Sequence, residues 1–248
     1  MNLAVGRKSL AVAGVLAFVA GLVAKFPAAM AIAWFAPAAV QAWGVEGTVW
    51  HGRATSLSVG EFPVGRARWD ASVLPFLALR PTWALDVERS DGFVRGRVAM
   101  PVVGNSQQIS GLEGMLELSS LPRTLVPEGS GGQLSVNFRR LALRNGWPAA
   151  IAGRAAVAEL LLPGLQFALG PIEFVFDEGD GPPAAAVRSL GGPLAVDGTL
   201  TLPEQGQWTL DALLGPGEDP PPDLVEGLQF VGESADGGQR RYTQSGTL

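Results

Sequence analysis

The sequence of 248 residues contains no cysteine and a single histidine, His51. Without cysteine, disulfide frameworks, thiolate nucleophiles and cysteine-ligated zinc sites are excluded. One histidine cannot by itself supply the usual combination of nucleophile, general base and metal ligands, and no Gly-x-Ser-x-Gly motif accompanies it. We therefore interpret His51 as a strand residue. We predict no catalytic, cofactor-binding or metal-binding residues, no cofactor, and a protein that is not an enzyme.

Basic charge is also scarce. Beyond Arg7, Lys8 and Lys25, 15 of the 18 basic residues remain, against 23 acidic ones. This surplus of negative charge repels nucleic acid, so nucleic acid is not an expected partner. The acidic stretch at residues 177–181 lacks the spacing of an EF-hand loop, and we interpret it as a solvated turn. The glycine-rich stretches at 104–106 and 129–132 lack the Lys-Ser/Thr helix start of a phosphate-binding loop.

Charge is almost absent from the stretch between Ser9 and Val45, where Lys25 is the one charged residue. The apolar run from Ser9 to Ala24 is about 24 Å long as a helix, slightly short of the roughly 30 Å hydrocarbon core of a bilayer. Phe26 and a snorkelling Lys25 can close this gap. We therefore predict a transmembrane helix over residues 9–26. The preceding basic pair predicts that residues 1–8 are cytoplasmic.

A cleaved signal peptide is the competing interpretation of this run, since Val40-Gln41-Ala42 resembles a cleavage site. Cleavage normally follows the apolar core closely, whereas about seventeen residues intervene here, so we favour a retained anchor. Residues 27–43 are predicted to form a short membrane-proximal helix and a linker, because Pro27 opens and Pro37 ends an apolar stretch. This helix either lies at the membrane interface or packs on the domain beneath it.

Glycine and proline exceed a fifth of the chain and separate short segments of alternating apolar and polar residues. This pattern predicts a mainly β, antiparallel domain over residues 44–248 with short helices. Hairpins are predicted at residues 57–71, 83–100 and 192–214, a helical connector at 72–80, and a strand rather than a helix at 149–162. Met115–Leu118 is open between strand and helix. Asp223 is predicted to cap a short helix, and a final strand begins near residue 237.

Gly52-Arg53-Ala54 recurs as Gly153-Arg154-Ala155, an offset of 101 residues. Two later pairs of segments, centred on Gly65 and Gly170 and on Gly96 and Gly198, have offsets of 105 and 102. Similar offsets in the same order suggest a duplicated β unit, with copies at about residues 44–125 and 130–248. The tryptophans of the strand patterns, Trp50, Trp69, Trp83 and Trp208, are expected to lie mostly in the core.

The chain resembles the type II secretion system protein N family. The residues that carry the resemblance are Phe26-Pro27-Ala28 with Trp34, the stretch GTVWHGRA at 47–54, and GRARW at 65–69. It continues through residues 194–208 to Gly246-Thr247-Leu248. The resemblance implies a single-pass inner-membrane protein with its main domain in the periplasm. It further implies an accessory role in exporting folded proteins across the outer membrane, through contacts with other type II secretion subunits.

The C-terminal part also resembles the repeats of AsmA-like envelope proteins, although the present chain is far shorter. That resemblance implies an alternative function, the binding or transfer of lipid, in which two curved sheets enclose an apolar groove. A binding role through exposed sheet edges needs no special side chains and leaves no motif in the sequence. Lipid is therefore a second candidate partner beside the secretion subunits and the inner membrane.

Overall fold

The computed structural model describes residues 7–60, 62–72, 80–101, 106–123, 126–179, 181–203 and 206–247. The helices in these ranges are α1 (Arg7–Ala24), α2 (Ala28–Phe35) and α3 (Pro222–Leu228). The strands are β1 (Val40–Trp43), β2 (Glu46–Gly47), β3 (His51–Val59), β4 (Phe62–Ser72), β5 (Thr82–Arg89), β6 (Gly92–Ala99), β7 (Ser106–Glu117), β8 (Gly131–Arg144), β9 (Trp147–Leu161), β10 (Ile172–Phe176), β11 (Ala184–Ser189), β12 (Leu194–Thr201), β13 (Gln207–Pro216), β14 (Glu233–Ser234) and β15 (Arg240–Thr247).

Among the described residues these strands form one 15-stranded sheet in nearly sequential order. From β3 to β13 each strand pairs antiparallel with the next strand in the chain, and β15 then pairs with β13. At one end β1 and β2 share the outer side of β3, and at the other β14 adds two residues beside β15. The antiparallel, mainly β fold predicted from the alternating segments is confirmed, but the secondary lipid hypothesis was wrong in assuming two sheets.

The strand registers give the sheet a charged face and an apolar face, because successive side chains of a strand point to opposite sides. One transverse row on the charged face consists of Arg53, Arg68, Asp86, Arg95, Glu113, Asn137 and Arg154. The neighbouring row on the apolar face consists of Ala54, Ala67, Val87, Val94, Gly114, Val136, Ala155, Phe174 and Val187. The alternation visible within single strands therefore extends from strand to strand.

The hydrophobic core lies on the apolar face, in two clusters. One is built where α3 packs on the sheet, with Leu224 and Leu228 against Leu169 and Leu194. The other surrounds Phe176, whose ring meets the ring of Phe138 edge-on at a centroid distance of 5.8 Å. T-shaped pairs of this kind add to the stability that burial alone supplies.

The core is thin for a chain of this size. The accessible surface is 15,945 Å², whereas a compact monomer of 25.8 kDa is expected to expose about 10,500 Å². Many apolar residues of the sheet, including Val87, Val94 and Val136, are only half-buried. A single sheet covered by few helices accounts for this excess of exposed surface.

Several local predictions can now be judged. The helix after Pro27, the three hairpins, the strand at 149–162 and the final strand are confirmed. Met115–Leu118 belongs mainly to β7, which ends at Glu117 before a short 3₁₀ turn. The proposed cap was wrong: Pro221 is the N-cap of α3, and Asp223 lies in its first turn. The predicted connector lies largely outside the described residues.

The N-terminal apolar run forms helix α1, whose residues Val15, Phe18 and Leu22 are exposed. Within the described part of the chain, no helix has the length and apolar character that a membrane crossing requires. The predicted boundary between two β units, near residues 125–130, falls between β7 and β8. These strands pair from Ser106 to Glu117, so the sheet is continuous there. The division into two related units remains a prediction.

Candidate functional site

Three tryptophans converge on the short loop between β2 and β3. Trp69 Nε1 donates to the main-chain oxygen of Thr48 at 3.0 Å, and Trp83 Nε1 donates to that of Val49 at 3.1 Å. Trp50, in the loop itself, donates from Nε1 to the main-chain oxygen of Val23 at 2.8 Å. An indole nitrogen is a donor only, so each ring is oriented by the carbonyl that it reaches. We call these residues the tryptophan junction.

The junction links α1 and α2 to the sheet. Val23 is the second-to-last residue of α1, where main-chain carbonyls have no partner within a helix. Trp50 is a second donor to the Val23 carbonyl, which also accepts from the Phe26 amide at 3.3 Å, and the Val49 amide donates to the main-chain oxygen of Phe26 at 3.1 Å. Pro27 and Thr48 form a further β-bridge. Two hydrogen bonds, one of them part of this β-bridge, therefore connect the helices to the sheet.

The tryptophans were expected in the core, and the structure corrects this. Trp50, Trp69, Trp83 and Trp208 are all half-buried, with one side of the ring packed and an edge reaching polar groups or solvent. Gly52 explains how Trp69 can lie so close to the loop. A Cβ atom on Gly52 would lie 2.4 Å from Cζ2 of Trp69, so only glycine leaves room for the ring.

An open basin of about 810 Å³ lies on the charged face over β3 to β7. Charged side chains dominate its lining: His51, Arg68, Asp70, Asp86, Arg95, Arg97 and Glu113. His51 Nδ1 lies 2.8 Å from Asp70 Oδ2, and both side chains are well exposed.

Ion pairs recur across the charged face from one end of the sheet to the other. They are Arg53 with Glu46, Arg66 and Arg68 with Glu88, Arg95 with Glu113, Arg154 with Glu173, Arg188 with Asp197, and Arg241 with Asp211. Most of these side chains are more than 40% exposed, so solvent screens the pairs and each contributes little to stability on its own. Together they neutralise the face and set the register of adjacent strands.

Among the ion pairs of the described residues, that of Arg89 with Asp91 is the most shielded from solvent. Arg89, whose side chain is 9% exposed, binds both carboxylate oxygens of Asp91 at 2.7 and 3.2 Å and also donates to the main-chain oxygen of Pro63. Hydrogen bonds from Arg89 lower the pKa of Asp91, against the opposing effect of burial. Arg89 also lies over the ring of Phe62 at 4.8 Å. This arginine ties the β5–β6 turn to the start of β4.

No group of three metal-ligating side chains is assembled within the described residues. Asp177, Glu178 and Gly179 are exposed and outside any strand, as a solvated turn would be, and Asp180 lies outside the described residues. Residues 102–105, which include Gly104 and Asn105, lie outside them as well. Residues 131–132 of the other glycine-rich stretch begin β8. The tryptophan junction and the ion-pair rows were missed by sequence reasoning, because both depend on the register between distant strands.

A long antiparallel sheet with one ion-paired face, one apolar face and a hydrogen-bonded junction to its N-terminal helices defines a mainly β protein. The sequence model of the type II secretion system protein N family matches residues 38–243, and the chain belongs to that family. A relative, the type II secretion system protein N of Aeromonas hydrophila, is 26% identical over 237 residues. The match covers 91% of this chain and 92% of the relative. No solved structure matches the chain.

Proposed function

We propose that this protein is a non-enzymatic, inner-membrane-anchored component of the type II secretion system, with residues 1–8 in the cytoplasm and the sheet in the periplasm. Family membership over residues 38–243 is the observation that carries the role in secretion. The protein contributes to the export of folded proteins by contacting other secretion subunits.

The anchor rests on the apolar run from Ser9 to Ala24 and on the structure that follows it. Met30 and Trp34 on α2 are 42% and 62% exposed, and Trp43 on β1 is 53% exposed. Exposed tryptophans next to an apolar helix are characteristic of a membrane–water interface. The tryptophan junction then holds the sheet in a fixed orientation to the end of α1, so movement of one is transmitted to the other.

The role in secretion is tested by deleting the gene and measuring a folded secreted enzyme in the culture medium and in the periplasm. We expect the enzyme to accumulate in the periplasm and to return to the medium on complementation. Unchanged secretion together with an altered envelope lipid composition would contradict the proposal and favour the alternative below.

The topology is tested separately with single cysteines, since the natural chain has none. Ser56→Cys, on β3, should react with a membrane-impermeant maleimide in intact spheroplasts, whereas Asn2→Cys should react only after lysis. Equal labelling of both before lysis would contradict the proposed orientation without bearing on the role in secretion.

A second candidate function is AsmA-like binding or transfer of lipid, favoured by the large area of half-buried apolar side chains on one face of the sheet. A face of this kind offers contact surface to acyl chains. Purification in mild detergent followed by lipid mass spectrometry tests it. We expect no stoichiometric lipid if the secretion role accounts for the sheet, and about one lipid per chain if the alternative is correct.

A further inference from the structure

The last strand of the sheet has an open edge. β14 covers β15 only at Arg240 and Arg241, and Gly232 packs against Tyr242. From Thr243 to Thr247 the outer edge of β15 pairs with no other strand among the described residues. This stretch carries no proline and no charged side chain, the usual devices that keep an edge strand from pairing with another chain.

Trp208 lies next to this open edge, in a position where a further strand would cover it. Trp208 on β13 lies opposite Gly246, and a Cβ on Gly246 would lie 2.8 Å from Cε2, Cζ2 and Nε1 of its indole. The half-buried ring therefore extends over the glycine towards the open edge. In the part of the chain that the structure describes, Trp208 Nε1 donates no hydrogen bond.

The opposite end of the sheet shows the same arrangement in completed form. Trp69 lies over Gly52 as Trp208 lies over Gly246, but there β2 pairs with the free side of Gly52 through Gly47. The loop that follows β2 supplies the Thr48 carbonyl that accepts from Trp69 Nε1. At the C-terminal end the tryptophan and the glycine are present, but no described residue supplies the added strand or its carbonyl.

We infer that the edge from Thr243 to Thr247 binds an extended segment of another type II secretion subunit as an additional β-strand; this rests on the proposed function. Main-chain hydrogen bonds supply the affinity, and a bulky apolar side chain opposite Gly246 covers the ring of Trp208 and sets the register. Phe230, 83% exposed and two residues before Gly232, offers a second apolar contact at the other end of the edge.

A second copy of this chain does not fit the edge as well. Consider two antiparallel copies of β15 related by a two-fold axis. The charged and apolar faces continue across this contact only if even-numbered residues of one copy lie opposite even-numbered residues of the other. Within the free stretch, Gly246 would then face Gln244 or Gly246 of the copy. Neither residue covers Trp208, so a heterologous segment with an apolar residue is the better occupant.

The test places a photo-crosslinking amino acid at Ser245 in the full-length chain, in cells that carry the complete secretion system. A control chain carries it at Gln108, an exposed residue of the same face on an interior strand. We expect crosslinks from position 245 to one segment of a secretion subunit, identified by mass spectrometry, and none from position 108. That segment should contain a bulky apolar residue.

Substitutions at the two apolar contacts sharpen the test. Trp208→Phe and Phe230→Ser should each reduce the crosslink yield several-fold. Trp147→Phe removes a different indole N–H that has no partner in the structure, and Leu190→Ser replaces another exposed apolar residue. Both controls should leave the yield unchanged. A yield insensitive to all four substitutions would show that the crosslinked segment is not bound as inferred.

The remaining outcomes separate this inference from the proposed function. Crosslinks from Ser245 to a second copy of the chain overturn the inference. Crosslinks to secretion subunits from Gln108 but not from Ser245 also overturn it, while leaving the proposed function intact. If Ser245 and Gln108 crosslink to lipid alone and secretion is unimpaired in the deletion strain, the inference and the proposed function are both overturned.

Discussion

Arg241 on β15 forms a bidentate ion pair with Asp211 on β13. Its Nε and Nη2 atoms donate to Oδ1 and Oδ2 of the carboxylate at 3.0 and 2.5 Å. These hydrogen bonds lower the pKa of Asp211, with a smaller contribution from the hydroxyl of Thr243. The pair therefore holds β15, the strand with the open edge, in register with its neighbour.

Acid should loosen β15. A carboxyl group whose pKa is lower in the folded state stabilises the fold fully above its unfolded pKa of about 3.9 and loses that effect as pH falls through the lowered value. We expect hydrogen-exchange protection of the β15 amides, relative to intrinsic rates, to be constant from pH 7 to 5 and to fall below about pH 4.

Asp211→Asn should reduce this protection at pH 7 and remove its dependence on acid. Asp197→Asn is the matched control, because the ion pair of Asp197 with Arg188 is long, at 3.9 Å, and exposed. Equal effects of the two substitutions on β15 would contradict a specific role for the Arg241 pair.

The junction between helix and sheet yields a second prediction. Trp50→Phe keeps an aromatic ring but removes the indole hydrogen bond to the carbonyl of Val23, which also accepts from the Phe26 amide at 3.3 Å. We expect a loss of about 1 kcal/mol. Amides near the end of α1 and the start of α2 should then exchange several-fold faster. Trp83→Phe, which removes a bond to Val49 within the domain, should affect the β2–β3 loop more than α1. Unchanged exchange at residues 24–28 in Trp50→Phe would show that the indole does not hold the helix.

Arg89 should be the arginine of the sheet most sensitive to substitution. Arg89→Ala removes the guanidinium donors of the Asp91 carboxylate, which is 17% exposed, and of the carbonyl of Pro63, while Asp91 keeps its hydrogen bond from Ser120. We expect a loss of about 1–3 kcal/mol in unfolding free energy, measured from urea denaturation midpoints in detergent. Arg95→Ala breaks the ion pair with Glu113, in which the two side chains are 56% and 49% exposed. It should lower the free energy of unfolding by at most about 1 kcal/mol. A similar loss of unfolding free energy in both variants would show that the low exposure of the Arg89 pair does not make it more stabilising than the Arg95 pair.

Much of the sheet was predictable because its strands alternate and its turns contain glycine or proline. The hairpin from Trp83 to Met100 is an example: alternation placed β5 and β6, and Asp91-Gly92 marked the turn between them. The cap of α3 was assigned to Asp223 because acids favour helix starts, whereas Pro221 occupies that position. Local propensity identified the helix but not its first residue.

The sites were less predictable, because cross-strand pairing creates them. Arg53 and Glu46 are separated by one turn, but Arg241 and Asp211 are thirty residues apart. The strand register explains why the Gly-Arg-Ala segment occurs twice. In both, glycine lies beside aromatic rings, arginine joins an ion pair on the charged face, and alanine faces the apolar side. The sequence spacing shows that these residues recur, but it does not show why the structure requires each of them.

Gly153 is the position where this reasoning can be tested most directly. It lies between Phe138 and Phe176 in one cross-strand row, and the two rings meet across it at 5.8 Å. Its φ angle is +139°, and a Cβ would lie 2.3 Å from the main-chain oxygen of Asn137 and 2.6 Å from Cα of Phe138. Both neighbours are backbone atoms, so they cannot rotate away as a side chain could.

Gly153→Ala should therefore destabilise the domain by about 1–3 kcal/mol or more, through overpacking and an unfavourable backbone conformation. Gly179→Ala is the control, because nothing lies within 4 Å of the added methyl group and its φ angle is not in the left-handed region. Urea denaturation followed by near-ultraviolet circular dichroism would report the aromatic packing directly. If the two variants unfold at the same midpoint, β8 and β9 can separate at Gly153 without cost, and the close contact between the phenylalanine rings does not stabilise the sheet.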